Sequence, residues 1–280
     1  MDIRYSASPK DFKRYTTKET RNEFLIKKLF RPDDVIAVYS HVDRMVTLGC
    51  MPVNEEVSID KGINIWENFG VKYFLERREI GIFNIGHAGE IIVDGTVYKL
   101  CNKDCLYIGM GAKEVSFKSI DASSPAKFYM VSAPAHKECK TKLITKESAE
   151  KRPLGAVETA NKRVIYQYIH PDVLETCQLC MGLTELDEGN VWNTMPVHTH
   201  ERRMEVYMYF EIPDDQVVIH LMGQPTETRH IVMKNEQAVI GPSWSIHSGC
   251  GTSRYSFIWA MGGENKEFDD MDTIPTSGLR

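Results

Sequence analysis

Four residues in the C-terminal half have the types and spacing of a metal site: His198, His200 and Glu205 in HTHERRME, and His247 in PSWSIH. Side chains at i and i+2 of a strand leave the same face, so the imidazoles of His198 and His200 converge. Glu205 stands at an odd offset from His200. We therefore predict that residues 201–203 form a hairpin turn, which returns the carboxylate to that face. His247 would complete the set.

These side chains supply nitrogen and oxygen donors and no thiolate. Three imidazoles and one carboxylate suit zinc, manganese, iron(II), cobalt or nickel, and they leave coordination positions for water or a substrate. One histidine alone is more often a packed or surface residue, and a His-x-His pair arises readily by chance in a chain with 9 histidines. The set of four is the informative signal, and it predicts a metal site that does chemistry.

The composition is that of an ordinary globular chain. Its 280 residues are 42% hydrophobic and 26% charged, and this length favours two domains. A net charge of -5 offers no basic surface for nucleic acid. No run of about 18 apolar residues and no signal peptide is recognisable. We expect a cytoplasmic protein without nucleic-acid or membrane partners.

The cysteines predict free thiols. Seven are scattered along the chain, an odd number that fits a reducing compartment better than a disulfide framework. Cys177 and Cys180 form a lone C-x-x-C, but an offset of three places them on opposite faces of a strand. A second C-x-x-C is missing, which disfavours a thiol metal or redox site.

Strands are predicted to position most of the candidate residues. Residues 8–30 are the one convincing helix, an N-terminal arm that begins at Ser8-Pro9. From Val35 onward, short β-rich runs are broken by Gly, Pro, Asp and Asn. Asp94-Gly95 lies between two such runs and predicts a hairpin with a type I′ turn.

The chain is predicted to contain two similar halves. Residues 138–162 are polar and charged, as in a connection between domains, so we divide the chain into 1–150 and 151–280. Both halves consist of many short strands, which indicates a duplicated fold. The first half does not repeat the candidate ligands, because its histidines are isolated: His41, His87 and His136.

The spacing of the four candidate ligands resembles the metal motifs of the cupin superfamily. The shared features are His-x-His, a glutamate after a gap of four residues, and a late Pro-x-x-x-x-His. Cupins hold a metal in the mouth of a small antiparallel barrel. This chain departs from the usual glycines of those motifs at Trp192, Ile212 and Trp244. The departures indicate a particular branch of the superfamily.

Longer strings, among them VWNTMPVHTHERRMEVYMYF and PSWSIHSGCGTSRYSFIWAMGGEN, resemble the 5-keto-4-deoxyuronate isomerase family over the whole chain. The resemblance implies a mainly β bicupin, with two cupin-like antiparallel β-barrels and an N-terminal helical arm. It implies one zinc ion per subunit and a homo-oligomer of six chains. It also implies conversion of a sugar acid, 5-keto-4-deoxyuronate, into 3-deoxy-D-glycero-2,5-hexodiulosonate during pectin breakdown. The metal ligands would be His198, His200, Glu205 and His247.

Such a ketol-isomerase also needs a base and a group that binds the substrate carboxylate. Tyr207, His230 and Tyr255 are candidates for the base, since each lies on a predicted strand near one that carries a ligand. A planar guanidinium binds a carboxylate through two hydrogen bonds. The candidates for this role, with Arg163 and Arg254 ranked first, are Arg163, Arg254, Arg203 and Arg229.

Two other functions stay open. A cupin-type metal-dependent dioxygenase would use a similar set of three histidines and one glutamate with iron and oxygen. Dependence on O2 separates that enzyme from an isomerase. The other alternative is a sugar-acid-binding module without catalysis, which tight binding without turnover would indicate.

Overall fold

A computed structural model describes the whole chain, Met1–Arg280. The chain is mainly β, which confirms the predicted fold class. In chain order the strands are β1 (Asp2–Arg4), β2 (Leu25–Ile26), β3 (Val35–Ser40), β4 (Val46–Cys50), β5 (Val57–Ser58), β6 (Arg78–Asn84), β7 (Gly89–Val93), β8 (Thr96–Leu100), β9 (Cys105–Ile108), β10 (Val115–Ser119), β11 (Phe128–Pro134), β12 (Lys142–Ile144), β13 (Glu150–Leu154), β14 (Arg163–Ile169), β15 (Cys180–Leu186), β16 (Trp192–Asn193), β17 (His198–Thr199), β18 (Arg203–Phe210), β19 (Val218–Gln224), β20 (Glu227–Met233), β21 (Gln237–Gly241), β22 (Ile246–Gly251), β23 (Ser256–Gly263) and β24 (Asp272–Thr273).

The helices are short. The α-helices are α1 (Pro9–Phe12), α2 (Thr17–Phe24) and α3 (Ile65–Phe69), and single 3₁₀ turns occur at Phe74–Glu76, Val157–Thr159 and Thr276–Gly278. No helix has the length and apolar character needed to cross a membrane.

The predicted helix over residues 8–30 is in fact two helices followed by an edge strand. Thr16 interrupts the helix because it is the N-cap of α2, with extended backbone. Its hydroxyl accepts from the backbone N–H of Glu19, and the Glu19 carboxylate accepts from the backbone N–H of Thr16, at 3.3 and 2.7 Å. After α2, β2 pairs with β21.

The sheets repeat the same strand order twice. The first half has a seven-stranded sheet, β1-β3-β4-β11-β6-β9-β12, and a four-stranded sheet, β5-β10-β7-β8. The second half has β13-β14-β15-β23-β18-β21-β2 and β16-β22-β19-β20. Strands β6, β7 and β10 thus occupy the places that β18, β19 and β22 occupy in the second half. The strand order confirms the predicted duplication: each half contains a seven-stranded and a four-stranded sheet, and the second half adds the two-stranded sheet β17-β24.

The Asp94-Gly95 hairpin is confirmed. Strands β7 and β8 pair so that Val93 lies opposite Thr96, which leaves two residues in the turn. Asp94 and Gly95 have φ angles of 46° and 83°. Both angles are positive, as a type I′ turn requires.

The chain divides into two compact units, and neither is continuous in sequence. Unit 1 is Met1–Arg4, Lys28–Glu150 and Tyr168–Cys180; unit 2 is Tyr5–Lys27, Lys151–Gln167 and Met181–Arg280. The N-terminal helices belong to unit 2, because β2 extends the sheet that contains β21. The division into independent domains at 1–150 and 151–280 stays a prediction.

The interiors of the two units differ in chemistry. Unit 1 is filled by a hydrophobic cluster to which β6 contributes Ile80 and Ile82. The counterpart strand in unit 2, β18, buries Glu205, Tyr207 and Tyr209. The same framework therefore surrounds an apolar core in unit 1 and polar side chains in unit 2.

A glycine on β15 allows unit 2 to pack closely. A Cβ atom on Gly182 would lie 2.2 Å from Cζ2 of Trp259 and 2.4 Å from the carbonyl oxygen of Tyr166. We expect Gly182→Ala to lower the free energy of unfolding by about 1–3 kcal/mol, because the overpacked side chain has no space. Urea unfolding measures the change. Gly278→Ala is the control, since its nearest neighbour would be 3.7 Å away; equal stability of the two variants would contradict the packing argument.

Candidate metal centre

The four predicted ligands lie together inside unit 2. Their donor atoms are all within 4.8 Å of one another. Nε2 of His247 is 2.9 Å from Nε2 of His198 and 2.9 Å from Oε2 of Glu205. Nε2 of His200 is 3.1 Å from the same Oε2. Three imidazoles and one carboxylate therefore converge on one point.

Three strands position this cluster. Glu205 lies on β18 between β21 and β23, opposite Gly241 and Met261. His247 lies on β22 opposite Met222 of β19. His198 lies on β17. Two of the donors thus come from sheet strands with neighbours on both sides, which hold them in place.

The predicted hairpin over residues 201–203 is wrong. Strand β17 pairs with β24, with His198 opposite Thr273, and not with β18. Only Glu201 and Arg202 form the turn, which the backbone N–H of Arg203 closes by donating to His200 O at 3.0 Å. The chain passes from one sheet to another at this turn, so Glu205 needs no register shift to join the histidines.

Burial and mutual contact set the charges of the cluster. Burial alone would raise the pKa of Glu205, but the charge of His247 and hydrogen bonds with His200 and His247 lower it below its usual range. Burial acts to lower the pKa of His200, and the hydrogen bond with Glu205 outweighs it and raises that pKa. Burial, then the charge of His247, lower the pKa of His198 to about 2. An anionic carboxylate and a neutral imidazole are the forms that bind metals.

The hydrogen bonds of His200 show that the cluster fits a cation. Its Nδ1 is 3.0 Å from the carbonyl oxygen of Arg203. A carbonyl only accepts, so Nδ1 carries a proton, and Nε2 is the nitrogen that faces the Glu205 carboxylate, 3.1 Å away. Positive charge between these two atoms, from a proton on Nε2 or from a cation in its place, stabilises this contact. The donor set suits one divalent cation.

A cavity of about 310 Å³ adjoins the cluster. This volume suits a small molecule. Besides His198, His200 and Glu205 of the cluster, the wall contains both polar and apolar side chains. The residues that matter below are Arg163, Thr194, Arg203, Tyr207, Phe257, Trp259, Met261, Phe268, Met271 and Thr273.

Three further predicted residues lie in this wall. The Tyr207 hydroxyl is 3.1 Å from Oγ1 of Thr194. Arg163 is partly buried and donates from Nη1 to the carbonyl oxygen of Asn161 at 2.8 Å. Arg203 is only 1% exposed and donates from Nη2 to the carbonyl oxygen of Asp270 at 2.9 Å. The structure thus brings Tyr207, Arg163 and Arg203 to the cavity.

The structure does not bring Tyr255 or His230 to the cavity. Tyr255 is buried, where its hydroxyl donates to the carbonyl oxygen of Gly249 at 3.0 Å and accepts from Nδ2 of Asn193 at 2.7 Å. His230 is exposed on β20. Side chains alternate between the two faces of β20, which buries Ile231 and Met233 and exposes His230 and Val232.

Two of the predicted arginines also lie elsewhere. Arg254 is exposed. Arg229 donates from Nη2 to Glu227 Oε1 at 2.9 Å and to the carbonyl oxygen of Lys13 at 2.8 Å, which ties the N-terminal segment to β20. Neither side chain lines the cavity.

Part of the cavity wall comes from the C-terminal segment, which was not predicted from the sequence to line a site. Phe268, Met271 and Thr273 line the cavity. Asp270 anchors the segment, because Nε of Arg202 donates to its carboxylate at 3.0 Å. The sequence signal for these wall residues is that Phe268 and Met271 are apolar residues within an acidic stretch. Acidic stretches are usually solvated.

His220 was also missed. It is buried behind the cavity wall, with Nδ1 2.8 Å from the hydroxyl of Tyr209. Its only sequence signal is its place among the apolar residues of QVVIH.

The other histidines and the cysteines do not form a second cluster of this kind. In unit 1, His41, His87 and His136 are exposed, around a core that is hydrophobic. All seven cysteines are free, and Cys180 is buried whereas Cys177 is partly exposed.

Known proteins resemble this chain over its full length. A 4-deoxy-L-threo-5-hexosulose-uronate ketol-isomerase of Lachnoclostridium phytofermentans is 56% identical over 280 residues, 100% of both chains. Proteins with the same name from Pectobacterium carotovorum subsp. carotovorum and Escherichia coli O139:H28 are 54% and 57% identical over the same coverage. A family model described as the KduI/IolB family matches residues 60–274.

Solved structures of lower sequence identity share the fold. An IolB-like protein from Salmonella typhimurium LT2 has a TM-score of 0.70 and 12% identity, covering 87% of this chain and 94% of that one. An oxalate decarboxylase from Lactobacillus farciminis has a TM-score of 0.55 and 8% identity, covering 83% and 79%. The repeated sheet pairs and the interior cluster of histidines and glutamate define a mainly β protein of the cupin type. Within that class, the chain belongs to the KduI/IolB family.

The buried His220 predicts a pH dependence of stability. Burial, then the charge of His247, lower its pKa to about 3, whereas a histidine in the unfolded chain takes up a proton near pH ~6.5. Between these values the unfolded state binds the extra proton, so the free energy of unfolding falls as the pH falls below about 6.5. In metal-free protein, we expect His220→Phe to reduce this slope by up to about 1.4 kcal/mol per pH unit.

Urea unfolding of the metal-free protein between about pH 7.5 and about pH 5 measures the slope. His230→Phe, an exchange at an exposed position, is the matched control for the loss of one histidine. An unchanged slope in His220→Phe would contradict a neutral His220 in the folded protein.

Proposed function

We propose that this chain is a ketol-isomerase that converts 5-keto-4-deoxyuronate into 3-deoxy-D-glycero-2,5-hexodiulosonate with the help of a divalent cation. One observation carries the proposal: three imidazoles and one carboxylate converge beside a cavity of about 310 Å³. The curated relatives, which are 54% to 57% identical over the full chain, bear the name of this activity. The ligands of the cation would be His198, His200, Glu205 and His247.

The reaction moves a carbonyl group from C1 to C2 of the open-chain sugar acid. A proton leaves C2 and one is added at C1, while the oxygen at C1 gains a proton and the oxygen at C2 loses one. Negative charge develops on both oxygens along the way. A cation held by the cluster would supply positive charge next to them.

Tyr207 is suited to donate a proton or hydrogen bond to a reacting oxygen. Burial, and then the charge of Glu205, raise the pKa of its hydroxyl well above the usual value of about 10. The hydroxyl therefore stays protonated at neutral pH, which makes Tyr207 a donor and not a base. Its contact with Oγ1 of Thr194, at 3.1 Å, orients it.

The apolar part of the wall protects the reaction from water. Phe257, Trp259 and Met261 alternate along one strand, β23, and all three lie on the cavity side of the sheet. Where water is excluded, a charge or dipole aimed at the reacting oxygens acts more strongly than in bulk solvent.

The finer properties implied by the family resemblance are part of this proposal. They are one zinc ion per chain, a homohexamer, a cytoplasmic location and a role in the breakdown of pectin. A nitrogen and oxygen donor set with open positions supports zinc. Light scattering tests the oligomer, and elemental analysis of purified protein tests the metal.

Removal of the cation or of a ligand should abolish the reaction. We expect chelated wild-type protein, Glu205→Gln and His247→Ala each to lose at least about 1000-fold in kcat/KM, because the charge that stabilises the reacting oxygens is gone. Carbonyl migration on fresh 5-keto-4-deoxyuronate is followed without oxygen, before chelation, after it, and after zinc is restored. Added zinc should restore the activity of the chelated wild type but not that of Glu205→Gln or His247→Ala.

Asp214→Asn, which removes an exposed carboxylate, is the matched control for Glu205→Gln. Circular dichroism checks that each variant is folded. Full activity of the metal-free protein would contradict the proposal, and turnover only in the presence of oxygen would favour the dioxygenase.

Tyr207→Phe tests the proton donor. We expect kcat to fall about 100-fold while the bound metal is retained, since the hydroxyl acts on the substrate and is not a ligand. Tyr255→Phe is the control: its hydroxyl lies outside the cavity, so activity per folded molecule should stay at the wild-type value. Wild-type kcat in Tyr207→Phe would remove that residue from the mechanism.

A further inference from the structure

The cavity wall carries more positive than negative charge. Arg163 and Arg203 both line it, and Glu205 is its only carboxylate. A divalent cation in the cluster would increase this excess of positive charge. An anionic ligand in this cavity would compensate the excess positive charge. A comparison of the two units distinguishes whether Arg163 or Arg203 binds the anion.

An arginine in the place of Arg203 belongs to the fold. Glu-Arg-Arg occurs at 76–78 and again at 201–203, and its last residue opens the counterpart strands β6 and β18. Arg78 lies opposite Pro134, the last residue of β11, just as Arg203 lies opposite Gly263, the last residue of β23. The two arginines are therefore equivalent in the duplicated framework.

Arg78 performs a structural role in the unit that lacks the metal cluster. Its Nε donates to Oγ of Ser132 at 3.0 Å, and its Nη2 donates to the carbonyl oxygens of Ser132 and Arg44 at 2.9 and 2.6 Å. Arg203 likewise bonds a carbonyl oxygen, that of Asp270, and is 1% exposed. Its Nε and Nη1 are buried without a protein acceptor, so Arg203 contributes uncompensated positive charge to the wall.

Arg163 has no such structural counterpart. It opens β14, whereas the counterpart strand β3 contributes Val35 and Ala37 to the hydrophobic cluster of unit 1. Arg163 is only partly buried, so its guanidinium is open to the cavity. Its one hydrogen bond runs from Nη1 to the carbonyl oxygen of Asn161. The edge formed by Nε and Nη2 makes no hydrogen bond within the protein. Its two N–H groups are parallel, which is the geometry that matches the two oxygens of a carboxylate.

We propose that Arg163 determines the specificity of the enzyme for sugar acids by binding the substrate carboxylate through its Nε and Nη2 edge. This inference rests on the proposed function. Glu205 is engaged by His200 and His247, so the carboxylate of the ligand is the partner that Arg163 lacks in the wall. With that end bound to Arg163, the C1 and C2 oxygens are left for the metal cluster.

The experiment combines a change in the protein with a change in the substrate. Wild type, Arg163→Met, Arg163→Lys and Arg254→Met are compared on 5-keto-4-deoxyuronate and on its neutral counterpart, in which a hydroxymethyl group replaces the carboxylate. Arg254 is exposed and outside the wall, which makes Arg254→Met the matched control for the loss of an arginine. Unfolding temperatures check that each variant is folded.

We expect Arg163→Met to lose about 100-fold in kcat/KM on the uronate, mainly through KM, and to change little on the neutral substrate. The wild-type preference for the uronate should then nearly disappear. The kcat/KM of Arg163→Lys on the uronate should lie between those of the wild type and Arg163→Met, since lysine keeps the charge but not the two parallel donors. Arg254→Met should keep the wild-type preference.

The assignment of Arg163 would be overturned if Arg163→Met kept the wild-type preference for the uronate over the neutral substrate. Equal losses of kcat/KM on both substrates would also overturn it. Absence of turnover by the wild type on either substrate would instead reject the proposed function. In that event, calorimetry with D-galacturonate and the zinc-loaded protein still tests Arg163. Binding to wild type that is lost in Arg163→Met would support the anion site, and equal binding to both, or to neither, would contradict it.

Discussion

The burial of the Glu205 carboxylate among three imidazoles is the interaction on which the site depends. A carboxylate that is 5% exposed is costly unless positive charge compensates it. Strands β18 and β22 hold Glu205 and His247 with their donor atoms 2.9 Å apart, so the framework fixes the group that needs compensation. A cation held by these four side chains would satisfy this need, and the cluster adjoins a cavity. Stability of the site and its chemistry therefore have the same physical origin.

Duplication explains how one fold accommodates such a site. In unit 1, the framework is stabilised by a continuous hydrophobic cluster, and Arg78, which opens β6, donates from Nε and Nη2 to Ser132 and to the carbonyl oxygen of Arg44. In unit 2, the counterpart strands bury polar residues, and cavity volume replaces part of the core. Unit 1 shows which features belong to the framework. The features found only in unit 2, namely the metal cluster and Arg163, are the ones that we assign to function.

The fold class, the repeated organisation and the four residues of the candidate metal cluster were predictable from the sequence because each leaves a local pattern. His-x-His on an extended chain, Asp-Gly between β-rich runs and Gly- or Pro-broken strands are such patterns. The pairing of β17 with β24 was not predictable, since it joins residues that are far apart in sequence. Nor could the sequence distinguish Arg163 from Arg254, because both border strands and only the tertiary packing directs one of them to the cavity. The same limit applies to the wall residues Phe268 and Met271, and to the capping by Thr16 that divides the N-terminal helix.

The most direct test of the account is the coordination of zinc by the metal-free protein. Calorimetric titration gives the stoichiometry, and X-ray absorption at the zinc edge gives the ligand atoms and distances. We predict one ion per chain with nitrogen and oxygen ligands at about 2.0–2.2 Å, imidazole among them, and a site that is lost in Glu205→Gln. Absence of tight binding, or sulfur ligands at about 2.3 Å, would contradict it and would direct attention to the cysteines instead.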